Sequence, residues 1–197
     1  MNQSLVFIGG GDGFDTYEEY LESLRDKPWV VAPYEGEKKR WRQPIAEKYR
    51  TRRDVYIPEL PCKQNAKYIE WKIVFDQLAV KLDEDAVLVG HSLGANFLVK
   101  YFYETGKKAK TIHLIAGCYG LGGGFELPDD LSRLHEQVGT IHLWQSTDDP
   151  IVTFADYQQY RVSLPNAIPH VFDNRKHFNM ESFPELEEYL QEDLEGE

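Results

Sequence analysis

The chain has 197 residues, of which 42% are hydrophobic and 13% aromatic, and its formal net charge at pH 7 is −11. This length and composition predict a single globular domain spanning residues 1–197 and exclude a disordered chain. The negative charge argues against nucleic acid and anionic membranes as partners, and no apolar run approaches the ~20 residues that span a bilayer. Because the N-terminus lacks a secretory signal pattern, we expect a cytoplasmic protein.

Two local features stand out from this composition. The two cysteines, Cys62 and Cys118, are too few for a disulfide framework and form no C-x-x-C pair, so we interpret them as packed or idle thiols. A basic segment, residues 38–53, runs against the overall acidity; its members are Lys38, Lys39, Arg40, Arg42, Lys48, Arg50, Arg52 and Arg53. A solvated helical face is the favoured interpretation, and a docking patch for an anionic substrate or an unknown protein partner is the alternative.

Short apolar runs alternate with amphipathic stretches of helical length along the whole chain. The runs predict strands at Leu5–Gly9, Trp29–Ala32, Val55–Ile57, Ala86–Gly90, Thr111–Ala116, Thr140–Gln145 and Pro169–Phe172. Helix starts are indicated by capping boxes at Thr16, Thr153 and Ser182, and a helix end by Gly106. Because most runs are apolar on both faces, the pattern predicts an α/β protein with three α/β/α layers around a mostly parallel sheet.

The first predicted strand ends in a glycine turn that contains Gly9, Gly10 and Gly11. A G-x-G-x-x-G dinucleotide fingerprint that starts at Gly9 fails because Phe14 occupies the position of its last glycine, so no cofactor is expected. A plain tight turn and an oxyanion-hole donor both fit this pattern. If the turn supplies a donor, the backbone amide of Gly11 is the first candidate and that of Gly10 the second.

The sequence Gly90-His-Ser-Leu-Gly94 lies between a buried strand and a predicted helix, Ala95–Thr105. G-x-S-x-G in this strand–turn–helix context is typical of a nucleophile elbow, in which the serine backbone is strained and its hydroxyl projects over the sheet edge. We therefore predict Ser92 as the nucleophile and the Leu93 amide as half of an oxyanion hole. His91 is expected to be structural, because its ring points away from the neighbouring hydroxyl.

A serine nucleophile needs a base, which in this arrangement follows the serine and an acid along the chain. His177 follows the last predicted strand, on a loop at the carboxyl edge of the sheet, and is therefore the predicted base. The other later histidines are assigned elsewhere: His113 and His142 to packed strand positions, His135 to an exposed helical stretch, and His170 to the interior of the last strand.

The acid is expected in the loop after the preceding strand, where Asp148 and Asp149 are adjacent. Neighbouring residues of an extended segment point to opposite sides, so only one of them can face His177. Pro150 biases Asp149 towards an extended conformation at the strand exit. We predict Asp149 as the acid and assign Asp148 to hydrogen bonds with turn amides.

Together these residues resemble the compact serine hydrolases typified by retinoblastoma-binding protein nine and its small bacterial relatives. The matching pieces are the glycine turn, Pro58–Pro61, Trp71, Val89–Gly94, Ser146–Pro150 and His177-Phe178. The resemblance implies a minimal α/β-hydrolase fold with a Ser–His–Asp triad, no metal and little or no lid. The segment Asp15–Tyr49 is longer than in the most compact members. Leu60–Gln64 lacks the closing glutamate of an L-x-C-x-E motif, so no retinoblastoma partner is carried over.

The sequence therefore predicts a hydrolase of small carboxylic esters, with amides and thioesters as further substrates, acting through an acyl-enzyme intermediate. The alternative is a catalytically silent hydrolase scaffold that binds proteins, for which the basic segment and the acidic tail Glu185–Glu197 are the supporting features. The glycine-rich segment Gly117–Leu127 is expected to form a mobile loop near the site.

Overall fold

The computed structural model describes residues 3–26 and 40–196. Within these residues six strands form one sheet in the order β2-β1-β3-β4-β5-β6, and every neighbouring pair is parallel. The strands are β1 Ser4–Ile8, β2 Asp54–Tyr56, β3 Val87–His91, β4 Ala109–Ile115, β5 Val138–Ser146 and β6 Ile168–Phe172. The predicted parallel sheet is confirmed, whereas the predicted strand Trp29–Ala32 lies outside the described residues.

Helices cover both faces of this sheet. They are α1 Tyr17–Asp26, α2 Arg42–Tyr49, α3 Tyr68–Ala79, α4 Leu93–Thr105, α5 Phe154–Ser163 and α6 Pro184–Glu195, with a 3-10 helix at Ser132–Glu136. The apolar sides of α3, α4 and α5 pack on one face, and those of α2 and α6 pack on the other. The three-layer α/β/α architecture predicted from the alternation of strands and helices is therefore confirmed.

Alternate residues of each central strand enter opposite halves of the core. In β1, Val6 and Ile8 face the α3–α4–α5 side, whereas Leu5 and Phe7 face the α2–α6 side. Every residue of β1 and β3 is buried, because a parallel sheet with helices on both faces exposes neither side of its central strands. This burial holds the carboxyl ends of β1 and β3 in fixed positions at one edge of the sheet.

Local sequence signals set several helix ends. The Thr16 hydroxyl accepts the Glu19 N–H at 3.2 Å, and the Glu19 carboxylate accepts the Thr16 N–H at 3.2 Å. Thr153 and Asp156 form the same reciprocal box at the start of α5. Gly106 ends α4 in the left-handed region, with φ 67°. These three predictions are confirmed.

The predicted capping box at Ser182 is wrong. Helix α6 begins at Pro184 with Phe183 at its N-cap, and no side chain caps it. Phe183 is fully buried in the α2–α6 half of the core. Burial of a phenylalanine contributes about 1.5–3 kcal/mol, whereas a serine cap contributes ~1 kcal/mol, so packing decides where this helix starts.

Three of the six described basic residues in this segment pair with acidic residues of the same chain. Salt bridges join Lys48 to Glu187 at 3.1 Å, Arg50 to Glu47 at 2.7 Å and Arg52 to Glu195 at 3.6 Å. Two of these acidic partners belong to α6, so the basic segment partly neutralises the acidic tail. Lys38 and Lys39 lie outside the described residues.

Three further features bear on the sequence predictions. Both cysteines are free, and burial raises the pKa of the Cys118 thiol to about 12, which keeps it protonated and unreactive.

The segment 117–127, expected to be mobile, is anchored by the fully buried Phe125 and by a hydrogen bond from Gly123 N–H to Asp15 Oδ1 at 2.8 Å. Among the described helices, none combines the length and apolarity needed to cross a membrane.

Candidate active site

Ser92 occupies the sharp turn between β3 and α4, with φ 57° and ψ −126°. Few residues with a side chain adopt a positive φ, so this backbone is strained. A Cβ on Gly90 would lie 2.6 Å from Ala95 Cα, and one on Gly94 would lie 2.5 Å from the Ile8 carbonyl oxygen. Neither flanking position therefore has room for a side chain, as a nucleophile elbow requires.

The glycine turn after β1 lies directly beside Ser92. A Cβ on Gly10 would lie 2.8 Å from Ser92 Cβ and 3.3 Å from its Oγ, whereas one on Gly11 would meet the Lys63 carbonyl oxygen at 2.6 Å. Leu93, the next residue after the serine, begins α4 and is fully buried. Gly10 is thus the glycine that faces the serine. The two predicted oxyanion-hole donors are the next residues along the chain, since Gly11 follows Gly10 and Leu93 follows Ser92.

Asp149 and His177 meet although 28 positions separate them along the chain. Asp149 Oδ2 lies 2.8 Å from His177 Nδ1, and the aspartate side chain has no exposed surface. Its other oxygen, Oδ1, accepts the backbone N–H groups of Ile151 at 2.8 Å and Val152 at 3.1 Å. Because an ionised carboxylate only accepts hydrogen bonds, we infer that His177 Nδ1 carries the proton and that Nε2 is free to accept one.

The Asp148 side chain contacts the backbone of the loop that carries His177. Its Oδ1 accepts the Ser146 hydroxyl at 2.5 Å and the Lys176 N–H at 2.9 Å, and the Ser146 Oγ accepts the Arg175 N–H at 3.0 Å. The hydrogen bond from Ser146 lowers the pKa of the Asp148 carboxyl. The two adjacent aspartates therefore hold the same loop in different ways. Asp148 accepts a hydrogen bond from the main chain of the loop, whereas Asp149 contacts the His177 ring.

His91 supports His177 from the other side. Its Nε2 lies 2.9 Å from the His177 carbonyl oxygen, which can only accept, so His91 is the donor. Burial, followed by the nearby His177, lowers the pKa of His91 to about 3, so the ring is neutral at pH 7. Among the described residues the Ser92 hydroxyl makes no hydrogen bond with the His177 ring. Hydrogen bonds between a nucleophile and its base are often long in enzymes without substrate and shorten when substrate binds.

Three histidines stack across the sheet beneath α6. His113 on β4, His142 on β5 and His170 on β6 follow one another, with ring centroids 4.5 Å and 5.1 Å apart. His113 Nε2 lies 2.8 Å from Asp193 Oδ2, and His142 Nδ1 lies 2.9 Å from His170 Nε2. In the described part of the chain, His113, His142 and Asp193 are the group whose atoms could hold a metal ion, all within 4.8 Å of one another.

The hydrogen bonds of this group do not suit a metal. The Trp144 indole, which can only donate, gives its Nε1–H to His113 Nδ1 at 3.2 Å. The His113 proton is therefore on Nε2, facing Asp193, whereas a metal-bound histidine donates a proton from its other nitrogen. Separations of up to 4.8 Å also exceed the ~4 Å that two ligands of one zinc ion can span. We interpret the group as a hydrogen-bonded part of the core, as predicted for His113 and His142.

His135 differs from its prediction. It lies in the 3-10 helix, is partly buried, and its Nε2 is enclosed without a hydrogen-bond partner among the described residues. The prediction of an exposed histidine is wrong, because the 3-10 helix packs against α4 and β5. His170 lies within β6, as predicted.

Comparisons with known proteins define the class of fold. No protein-family model matches the chain, and no curated protein sequence matches it. The chain is similar to the solved structure of the ydeN gene product of B. subtilis, with a TM-score of 0.76 and 16% identity over 98% of this chain and 99% of that one.

Two esterases with solved structures share the same architecture. For naproxen esterase of Bacillus subtilis the TM-score is 0.62 and the identity 10%, over 96% of this chain and 83% of that one. For the Bacillus cereus carboxylesterase the values are 0.52 and 17%, over 98% and 87%. The chain therefore has the α/β-hydrolase fold, while the narrower resemblance to the retinoblastoma-binding protein nine type stays a prediction.

Proposed function

We propose that the protein is a serine hydrolase of small carboxylic esters, in which Ser92, His177 and Asp149 form the catalytic triad. The observation that carries this proposal is the 2.8 Å contact between the buried Asp149 carboxylate and His177 Nδ1. This contact leaves Nε2 free to act as the base. Ser92 follows β3 and the loop with His177 follows β6, at the same edge of the parallel sheet, which supports the proposed pairing.

The reaction proceeds through an acyl-enzyme. Ser92 Oγ bonds to the ester carbonyl carbon while His177 Nε2 takes the hydroxyl proton, and the carbonyl oxygen becomes an oxyanion. The amides of Leu93 and Gly11, together with the N-terminus of α4, stabilise this oxyanion. The bond to the leaving alkoxide then breaks, and His177 returns the proton to it. Water, activated by the same nitrogen, hydrolyses the acyl-enzyme to the free acid.

The substrate class rests on the glycine turn and on the names of similar proteins. Gly10 packs so close to Ser92 that a Cβ there would lie 2.8 Å from Ser92 Cβ, and this limited space beside the serine supports a small substrate. A naproxen esterase and a carboxylesterase have the same fold. Amides and thioesters, and the resemblance to the compact retinoblastoma-binding protein nine type, belong to this proposal as well.

The alternative of a silent protein-binding scaffold is less consistent with the site. A carboxylate with no exposed surface is costly to desolvate, and a positive φ at Ser92 adds backbone strain. A scaffold that only binds other proteins requires neither feature. In the basic segment, the main support for a protein partner, three of the six described basic residues already pair with acidic residues of the same chain.

Labelling with a fluorophosphonate probe tests the proposal. We expect the wild type to be labelled on Ser92, and Ser92→Ala to remain folded and unlabelled, because Ser92 contributes little to the core. Ser132→Ala, which removes an exposed serine of the 3-10 helix, is the matched control and should label like the wild type. Labelling that persists in Ser92→Ala would overturn the nucleophile, and a folded wild type that does not label would favour the silent scaffold.

A further inference from the structure

Two arginines of the basic segment stand apart from the paired ones. Arg40 and Arg42 flank the start of α2, which is fixed to the loop that carries His177. The Trp41 indole N–H donates to the Phe178 carbonyl oxygen at 2.9 Å, and Arg40 donates to the Asn179 side chain. The basic end of α2 is thereby held beside the candidate active site.

Arg42 lies against the same glycine turn as Ser92. Its Nη1 lies 2.5 Å from the position that a Cβ on Gly9 would occupy, and a Cβ on the next residue, Gly10, would lie 3.3 Å from Ser92 Oγ. Because consecutive Cα atoms are 3.8 Å apart, the guanidinium lies within about 13 Å of the serine oxygen. This distance is an upper limit, and a short dicarboxylate chain together with its contacts of about 3 Å at each end falls within it.

The charge of Arg42 is not balanced by a carboxylate of the described residues. It lies over the neutral Trp41 ring, 5.9 Å from the ring centre to the guanidinium carbon, whereas Lys48, Arg50 and Arg52 each form a salt bridge. Burial and the nearby Arg40 both lower the pKa of Arg42, which indicates that its charged form is poorly solvated. A bound anion would compensate both effects, since planar guanidinium groups bind carboxylates in two-point contacts.

We propose that Arg42 binds a carboxylate on the substrate, so that the site prefers esters that carry a negative charge over neutral esters of the same size. This inference rests on the proposed hydrolase function and names its substrate class. The net charge of −11 would otherwise repel such a substrate, which makes a cation beside the glycine turn the determinant of the preference. Half-esters of short dicarboxylic acids fit the span between Arg42 and Ser92.

Two matched pairs of esters test the inference. The first pair, p-nitrophenyl hydrogen glutarate and its methyl ester, places the charge on the acyl side. The second, 4-butyryloxybenzoate and its methyl ester, places it on the leaving group. We expect the wild type to favour the charged member of at least one pair in kcat/KM by at least about 10-fold, since a hydrogen bond to a charged group is worth about 10- to 100-fold in affinity.

Variants assign this preference to one residue. Arg42→Gln should lower the charged-to-neutral ratio of kcat/KM by about 10- to 100-fold, mostly through KM, and Arg42→Lys should retain part of it. Arg50→Gln removes the same charge from the other end of α2, where Arg50 pairs with Glu47, and should leave the ratio within about 2-fold. An equal loss on both members of a pair in Arg42→Gln would mean a structural role and overturn the inference.

Binding of the charged esters to Ser92→Ala, measured by calorimetry, gives a readout that needs no turnover. Affinity for a charged ester should fall at least about 10-fold when Arg42→Gln is added. Affinity that does not depend on Arg42, or a wild type that prefers neutral esters in both pairs, would overturn the inference. Failure of the proposed function differs: no ester is then hydrolysed and Ser92 is not labelled, while the binding measurement still decides the role of Arg42.

Discussion

Replacing Asp149 with asparagine changes which nitrogen of His177 carries the proton. The backbone N–H groups of Ile151 and Val152 both bond Asp149 Oδ1, at 2.8 and 3.1 Å, and will hold the oxygen of an asparagine in the same place. The new amide group then faces His177 Nδ1, where the carboxylate oxygen was 2.8 Å away. Because an amide NH₂ only donates, Nδ1 must accept, and the proton moves to Nε2.

With the proton on Nε2, the ring cannot take the proton of Ser92. In the Ser–His–Asp triad of trypsin the same substitution lowers kcat by about 10⁴ through this wrong tautomer. We expect a loss of the same order, which corresponds to about 5 kcal/mol of lost transition-state stabilisation. The loss of stability should be smaller, about 1–3 kcal/mol, because the buried position retains its two backbone hydrogen bonds.

Asp148→Asn is the matched control. Asp148 Oδ1 accepts the Ser146 hydroxyl and the Lys176 N–H, and an asparagine oxygen can accept both, so kcat should fall less than about 10-fold. The assay is kcat on a short p-nitrophenyl ester, with thermal unfolding as the check on folding and ¹⁵N shifts of the histidine ring as the report on the tautomer. A larger loss of kcat for Asp148→Asn, or an unchanged tautomer in Asp149→Asn, would refute the reasoning.

Two further predictions concern stability. Burial lowers the pKa of His91 and His142 to about 3 and that of His170 to about 4, below the unfolded value of 6.5, so the unfolded chain binds more protons than the folded one. These groups should leave the free energy of unfolding nearly constant above pH 6.5. Below that pH the free energy of unfolding should fall as the pH drops towards 4, by up to about 1.4 kcal/mol per pH unit for each fully buried histidine. Urea unfolding at pH 7, 5.5 and 4.5 measures this, and an unchanged midpoint would contradict it. Gly94→Ala should lower the free energy of unfolding by about 1–3 kcal/mol or more, because its Cβ would lie 2.5 Å from a backbone oxygen. Gly106→Ala, where a Cβ would lie 4.0 Å from the nearest atom but φ is 67°, should cost only about 1 kcal/mol, and equal losses would argue against the close packing at the turn.

Local chemistry explains what could be predicted before any tertiary structure. Buried parallel strands need apolar residues on both faces, so the sheet is visible in the runs themselves. The turn at Ser92 needs glycines two positions away on either side, and the capping boxes at Thr16 and Thr153 need a carboxylate three positions on. In each case the interacting residues are close along the chain, so their spacing carries the information.

Contacts between distant segments explain what the sequence left open. Ser146 and Asp148 bond the amides of Arg175 and Lys176, up to 29 positions away, and no pattern in the sequence marks these partners. The start of α6 at Pro184, rather than after a Ser182 cap, depends on the burial of a neighbouring side chain in the core. Such arrangements are set by packing energies of several residues at once, which outweigh local preferences.

The basic segment shows most clearly which properties follow from the sequence alone and which depend on the tertiary structure. Its sequence shows a run of positive charge, which by itself is typical of a solvated face. The fold gives its members different surroundings: Lys48 and Arg52 meet acidic residues of α6, whereas Arg42 lies against Gly9 at the edge of the sheet. A charge acquires its role from the groups that desolvate and pair it, and those groups come together only when the chain has folded.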